Sequence, residues 1–258
     1  MRNGYTRAQL EWIPRLLLSL DGDEGTGKTT FALTAPGPLV YMDFNGGGDG
    51  IIQTVQDEKE ILLPGDGEPY ILPDLLGDTP EAVRDAAAPV KRRFVQDFIA
   101  ACDDPNIRSV VVDTGTEANQ VFRLSSMGKI GKAEGDTGAK IAQQEIVNSE
   151  WLTLLRHATH RTTANVILIH HLKEKWSGGK PTGEYVRSGW GHMGKNVHAE
   201  LIAERSPEGV YSLRFGKCRQ NSSLNYSQDV VFRSDDMPLT FGLVGQAVFT
   251  MTDAEDWE

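Results

Sequence analysis

The segment Gly22-Asp23-Glu24-Gly25-Thr26-Gly27-Lys28-Thr29 constrains this chain more than any other part of it. It fits G-x-x-x-x-G-K-[ST], a loop that wraps phosphate. Its glycines let the backbone curl until several N–H groups face one anion. An apolar run at residues 15–20 precedes it and reads as a buried strand. Residues 28–35 follow it and read as a helix, stopped by Pro36-Gly37-Pro38. The amino end of that helix adds its dipole to the phosphate cradle. Lys28 is expected to reach the β- and γ-phosphates of ATP, and Thr29 to ligate Mg2+. The expected nucleotide-binding set is Gly22, Asp23, Glu24, Gly25, Thr26, Gly27, Lys28, Thr29 and Thr30.

Further elements follow the same alternation. Strands are expected at 39–42, 107–112 and 165–169, with helices at 81–102, 116–127 and 139–161. Later strands are expected at 201–203 and 210–215, with more at 229–233 and 247–251. Residues 45–50 read as a glycine-rich loop and 172–191 as a long polar loop. Residues 56–80 read as an inserted surface hairpin, with Ile61-Leu62-Leu63 and Tyr70-Ile71-Leu72 flanking Pro64-Gly65-Asp66-Gly67. Strands alternating with helices imply an α/β fold with a mostly parallel sheet covered on both faces.

At 258 residues the chain suits one domain, expected over 1–252, followed by an acidic tail at 253–258 with four carboxylates. Its two cysteines suggest a reducing compartment. No apolar run is long enough to span a bilayer and no leader pattern is evident, so a cytoplasmic protein is expected. The net charge of −10 argues against a protein that coats nucleic acid with its whole surface.

A P-loop enzyme needs a carboxylate to hold magnesium, and Val110-Val111-Val112-Asp113 supplies one at a strand end. Asp113 joins Thr29 as the expected metal pair. Hydrolysis also needs a group to orient or deprotonate water. Asp43, ending Tyr41-Met42-Asp43, is the first candidate; Asn45 can only orient water, and Glu24 is a lesser choice.

Together with two later motifs, these features resemble the RecA/RadA/DnaB class of P-loop ATPases, over residues 12–235. Gly216-Lys217-Cys218-Arg219 is similar to the K-x-R element of that class. The resemblance implies that Lys217 and Arg219 act on the γ-phosphate of a neighbouring subunit. Val166-Ile167-Leu168-Ile169-His170-His171-Leu172-Lys173 is similar to its sensor strand, implying a γ-phosphate sensor at His170 or His171, with His170 preferred. The short phage RecA-like ATPases of single-strand annealing and recombination are the most similar group. The expected fold is thus a RecA-like P-loop NTPase core with late antiparallel strands at one edge. Membership of that class would also bring a homo-oligomeric ring or filament, ATP between subunits, and a possible single-strand-binding protein as partner. One departure stands out: the class carries a glutamate just past the second strand, where this chain reads Asp43-Phe44-Asn45.

In that class two loops bind single-stranded DNA, matching 128–140 and 172–197 here. The first carries Lys129, Lys132 and Lys140 against Glu134 and Asp136. The second carries Lys173, Lys175, Lys180, Arg187 and Lys195 against Glu174 and Glu184, with Trp176, Tyr185 and Trp190. Basic side chains interleaved with aromatics suit single strands, because any base stacks on a ring. The leading expectation is a DNA-dependent ATPase. The alternatives are a nucleotide-gated binding module with little hydrolysis, a helicase-type motor, and a small-molecule kinase.

Overall fold

The computed structural model describes residues 14–65, 67–71, 79–127, 137–227 and 231–257. Nine strands form its central sheet: β1 (Leu17–Gly22), β2 (Leu39–Asp43), β3 (Ile61–Leu62), β4 (Ser109–Asp113), β5 (Asn165–Ser177), β6 (Lys180–Ser188), β7 (Ala199–Arg205), β8 (Tyr211–Cys218) and β9 (Val231–Arg233). Their order is β3-β2-β4-β5-β1-β7-β8-β9, with β6 paired to the outer part of β5. From β3 to β7 neighbours run parallel; β8 and β9 continue antiparallel at one edge. The chain is therefore α/β with the expected late antiparallel strands.

The described helices are α1 (Lys28–Ala32), α2 (Asp49–Val55), α3 (Pro80–Asp103), α4 (Gly115–Leu124), α5 (Thr137–Arg161) and α6 (Phe241–Val248). Strand alternation sends side chains to two separate cores. Leu17, Val40, Met42, Val110, Val112, Val166 and Leu168 pack with Phe94, Phe98, Phe122 and Trp151 of α3, α4 and α5. Leu18, Leu20, Tyr41, Val111, Ile167 and Ile169 pack on the other face with Phe31 of α1 and Phe241 and Val244 of α6. A parallel sheet buried on both faces has no polar side, hence the near-continuous apolar runs. Arg15, read as the start of a strand, instead donates to the carbonyls of Ala158, Thr159 and Thr162 and closes the carboxyl end of α5.

Five local expectations are corrected. The segment around residue 61 is no surface hairpin: Ile61–Leu62 pairs parallel to β2, and Tyr70 is buried against Phe44 and Phe94. The Tyr70 N–H donates to the Asp43 carbonyl at 2.7 Å, so this stretch returns to the end of β2; residues 66 and 72–78 lie outside the described residues. The loop expected at 45–50 already contains the start of α2. The polar loop at 172–191 is a β-hairpin, β5 running out into β6 through Gly178 and Gly179, both at positive φ as a two-residue turn requires. The strand expected at 247–251 is instead the last two residues of α6 and the turn after them; α6 starts at the Thr240 cap and buries Phe241, Val244 and Val248. Lastly, the acidic end is not free. Trp257 is buried, stacks on Phe249 and meets Phe241 edge-on, and its indole N–H donates to Thr252 Oγ1 at 3.0 Å. A Cβ at Gly245 would lie 2.5 Å from that indole, so only glycine fits beneath it.

Candidate active site

The carboxyl ends of β1, β2, β4 and β5 meet at one rim of the sheet, where open α/β sheets place ligands. There a cavity of about 320 Å³ is walled by the Gly-rich loop, Tyr41, Asp43, Asp113, Thr114, His171 and Tyr211. Gly25 and Gly27 hold φ of 71° and 79°, which lets the loop turn back into α1. Glu24, Gly25, Thr26, Gly27, Lys28, Thr29 and Thr30 all line the cavity; Gly22 and Asp23 stand behind it.

Lys28 is folded over the loop, its Nζ donating to the Gly22 and Asp23 carbonyls at 2.9 and 2.5 Å. Burial pulls its ammonium below the ordinary lysine range, opposed by Asp113, Asp23, Glu24 and Asp21. Thr29 Oγ1 donates to Asp113 Oδ2 at 2.6 Å, and the Tyr41 hydroxyl donates to the same oxygen at 2.8 Å. Burial raises the Asp113 carboxyl, while these two hydrogen bonds act against the rise. Tyr41 is raised well above its usual value by burial and by Asp113 beside it.

Thr29 and Asp113 thus bring two oxygen donors to one point on the cavity wall. That donor set fits Mg2+, which takes one or two protein oxygens and completes its shell with water and phosphate. Among the described residues no group of three His, Cys, Asp or Glu offers an all-protein metal cage.

The other expected residues divide. Asp43 lines the cavity, but its Oδ1 accepts from the Asn45 and Gly46 amides at 2.8 and 2.9 Å, and its Oδ2 from Gly48 at 3.2 Å. It holds the β2–α2 turn. His170 does not reach the cavity: it is wholly buried, with Nδ1 3.2 Å from Ser19 Oγ and 3.4 Å from Asp21 Oδ1. His171, one residue on, lines the cavity instead. Its backbone N–H donates to Thr116 Oγ1 at 2.9 Å, and that hydroxyl donates to the Ser188 carbonyl at 2.5 Å. Glu117 follows in the first turn of α4, four residues beyond Asp113, and is not among the residues lining the cavity. Burial lifts its carboxyl above the usual range, against its own backbone amide and His171.

Lys217 and Arg219 lie far from this cavity in the same chain. Lys217 pairs in register with Glu200, and Cys218 with Ala199, which itself pairs with Leu18 near the start of β1. Arg219 donates from Nη1 to the Lys195 carbonyl at 3.0 Å.

A family model described as an AAA domain matches residues 18–197, well over half of the chain. The chain belongs to the AAA domain family. That AAA domain is a P-loop ATPase domain, and it brings nucleotide binding and ATPase chemistry as the coarse activity of the cavity described above. Its matched stretch takes in the Gly-rich loop, Asp43, Asp113 and His171 but stops before β7, so Tyr211, Lys217 and Arg219 lie beyond it. The comparison with curated protein sequences gives no match. No described helix is long and apolar enough to cross a membrane.

Outside the cavity, the AAA domain raises the β5–β6 hairpin above its sheet. Trp176 and Tyr185 are exposed on it, at 64% and 63%, among Lys173, Lys175 and Lys180. Lys175 pairs with Glu184 at 2.7 Å. Two residues expected on this surface are not there. Trp190 is buried against Trp151, its indole N–H donating to Asn148 Oδ1. Arg187 is turned inward: Nε and Nη2 donate to the two oxygens of Asp21 at 2.8 and 2.7 Å, and Nη2 also reaches Glu200. Lys129 and Lys132 lie outside the described residues.

Sequence reasoning missed Tyr41, Tyr211 and the choice of His171. A period-two count identifies two of them. Tyr41 shares the face of Leu39, and His171 continues the face of Ile167 and Ile169, the side that carries α1. Tyr211 has no such signal: it sits against Gly27, where a Cβ would lie 3.2 Å from its ring, and Arg205 stacks on it.

Proposed function

We propose that this AAA domain hydrolyses ATP as a RecA-like homo-oligomer acting on single-stranded DNA, in recombination, annealing or replication. The observation that carries the DNA part is the hairpin. It offers two exposed aromatic rings among lysines, and its second strand is tied through Arg187 to Asp21, the residue before the Gly-rich loop. Bases stack on such rings without regard to sequence, while lysines follow the backbone. The sheet that continues past β1 into β7, β8 and β9 supports the RecA-like form, as does the placement of Lys217 and Arg219. Being remote from their own cavity, those two suit a role only toward a neighbouring copy's ATP, in a ring or filament.

In this reading ATP fills the cavity, with Lys28 leaving the Gly22 and Asp23 carbonyls for the β- and γ-phosphates. Mg2+, when bound through Thr29 and Asp113, neutralises developing phosphate charge. His171 faces the γ-phosphate end, and its neighbour contacts through Thr116 to Ser188 carry the change to the base of the hairpin. A single-strand-binding protein remains a candidate partner in that setting.

A second reading is a nucleotide-gated binding module with little hydrolysis. It is favoured by Asp43, whose carboxylate is engaged by three backbone amides and so is a poor base. The test of the DNA reading is fluorescence anisotropy of a labelled oligonucleotide with wild type and Trp176→Ala/Tyr185→Ala. Stacking is worth about 1–3 kcal/mol per base, so the double variant should bind at least about 10-fold more weakly. Equal affinity would overturn the hairpin as the DNA surface.

A further inference from the structure

We propose that a second cavity, at the foot of the β5–β6 hairpin, takes one base of a single strand, an inference that rests on the single-strand reading above and gives it a pocket the hairpin alone lacks.

The cavity has a volume of about 360 Å³, toward the lower end of the roughly 300–1,000 Å³ that ligand sites span. Helix α4 supplies one wall. Its Ala118, Val121 and Phe122 are buried in the core. Thr116, Gln120 and Arg123, spaced by four and three, form another stripe that borders the cavity. Gln143 of α5 and Lys173 and Ser188 of the hairpin face them.

Asn119 makes the floor, at only 7% exposed. Its orientation is fixed, because the Trp151 indole N–H can only donate and does so to Asn119 Oδ1 at 3.0 Å. Nδ2 is therefore the end that meets the cavity. It makes no hydrogen bond with a described residue, yet it is not sealed from solvent. A donor held this way calls for an acceptor from outside the chain.

The rim differs from the floor. Arg123 and Lys173 are exposed there, and no described residue of the lining is acidic. A neutral amide below cations matches one nucleotide unit, whose base is neutral and whose phosphate is charged. Side-chain amides pair with base edges, and single-strand recognition splays bases into such pockets. Leu124 and Met127 add apolar wall for the face of a ring. A bare anion would instead call for cations at the floor.

Position supports the same occupant. Lys173 and Ser188 belong to the hairpin, so a strand lying on its lysines and exposed rings arrives at this opening. Thr116 also accepts from the His171 N–H, so this cavity and the ATP cavity share a wall. Water is the simpler occupant and would satisfy the same amides.

The test is anisotropy at low salt with a labelled oligothymidine and with an abasic strand of equal length. Asn119→Asp keeps the oxygen that Trp151 needs and removes the donor. Its charge acts on the phosphates of both strands alike, so the ratio of the two affinities is the readout. That ratio should fall about 10-fold, the loss of one hydrogen bond. Arg123→Gln should lower the salt slope by about 0.7. Thymidine monophosphate in large excess should not displace the strand. If Asn119→Asp lowers the urea midpoint, the exposed pair Gln120→Ala/Arg123→Gln carries the test, with the same fall in ratio. An unchanged ratio would leave phosphate or water at the floor and overturn the base pocket. Displacement by thymidine monophosphate would make this a free-nucleotide site and overturn it too. Binding lost in Trp176→Ala/Tyr185→Ala with the ratio unchanged in Asn119→Asp would remove the pocket and leave the single-strand reading standing. If wild type binds no oligothymidine, that reading falls and the pocket with it.

Discussion

Replacing Arg187 with alanine tests how the hairpin is joined to the nucleotide site. The guanidinium is about one-tenth exposed and holds two carboxylates, Asp21 on β1 and Glu200 on β7. Burial alone would raise the Asp21 carboxyl, but hydrogen bonds from His170 and Arg187 and the charge of Arg187 hold it well below its usual range. Removing the arginine leaves Asp21 with Ser19 Oγ at 3.0 Å and an imidazole that burial keeps from charging. Breaking a buried pair from one side costs about 3–5 kcal/mol. Two orphaned carboxylates place this site toward the upper end. Urea unfolding followed by tryptophan fluorescence is the assay; with a slope of about 3 kcal/mol/M the midpoint falls by more than about 1 M. The sign with pH is fixed as well. A carboxyl depressed in the folded state contributes stability that is present above its unfolded value near 3.9 and lost as pH falls through the folded value. Arg187→Ala should therefore lose most at neutral pH, and Asp21→Asn in the same chain should recover part of the loss. DNA affinity should keep its salt slope, because an inward-facing arginine neutralises no phosphate. Stability within about 0.5 kcal/mol of wild type, or additive single and double variants, would refute the reasoning.

Two further outcomes follow from the same structure. Trp257→Ala should cost about 3–5 kcal/mol in the same unfolding assay, since it empties a pocket between Phe241, Phe249 and Gly245; a truly solvated tail would tolerate the change. His198, whose Nδ1 accepts from the Leu17 amide at 3.1 Å, is pulled down to about 4 by burial and by Arg15. Its unfolded form protonates first as pH falls, so its contribution is complete above about pH 6.5 and lost by about pH 4, a change of about 3 kcal/mol. Wild type should lose stability over that interval more steeply than His198→Gln, and equal slopes would contradict it.

Much of the fold was legible because local signals agreed with it. The Gly-rich loop, the apolar runs of β1, β2, β4 and β5, and the helices between them follow from periodicity and turn chemistry alone. Thr29 and Asp113 were legible too, since a strand-end carboxylate beside a P-loop has a chemical reason. The hairpin was not, because its outer part has both faces toward solvent and shows no apolar alternation; only Gly178-Gly179 marks its turn. Arg187 read as a DNA contact because its partner Asp21 lies 166 residues away, and no local pattern signals an ion pair at that separation. Trp257 was hidden by the four carboxylates around it, although one aromatic ring in a pocket outweighs several solvated charges in deciding where a short segment lies. The choice of His170 over His171 was a failure to extend the strand alternation by one step.

The most direct test of the central claim is Mg2+-dependent ATP turnover, with and without single-stranded DNA, for wild type and Lys28→Ala. DNA should stimulate phosphate release by wild type, and Lys28→Ala should abolish it in both conditions. Turnover that ignores DNA, or that survives the loss of Lys28, would contradict the account.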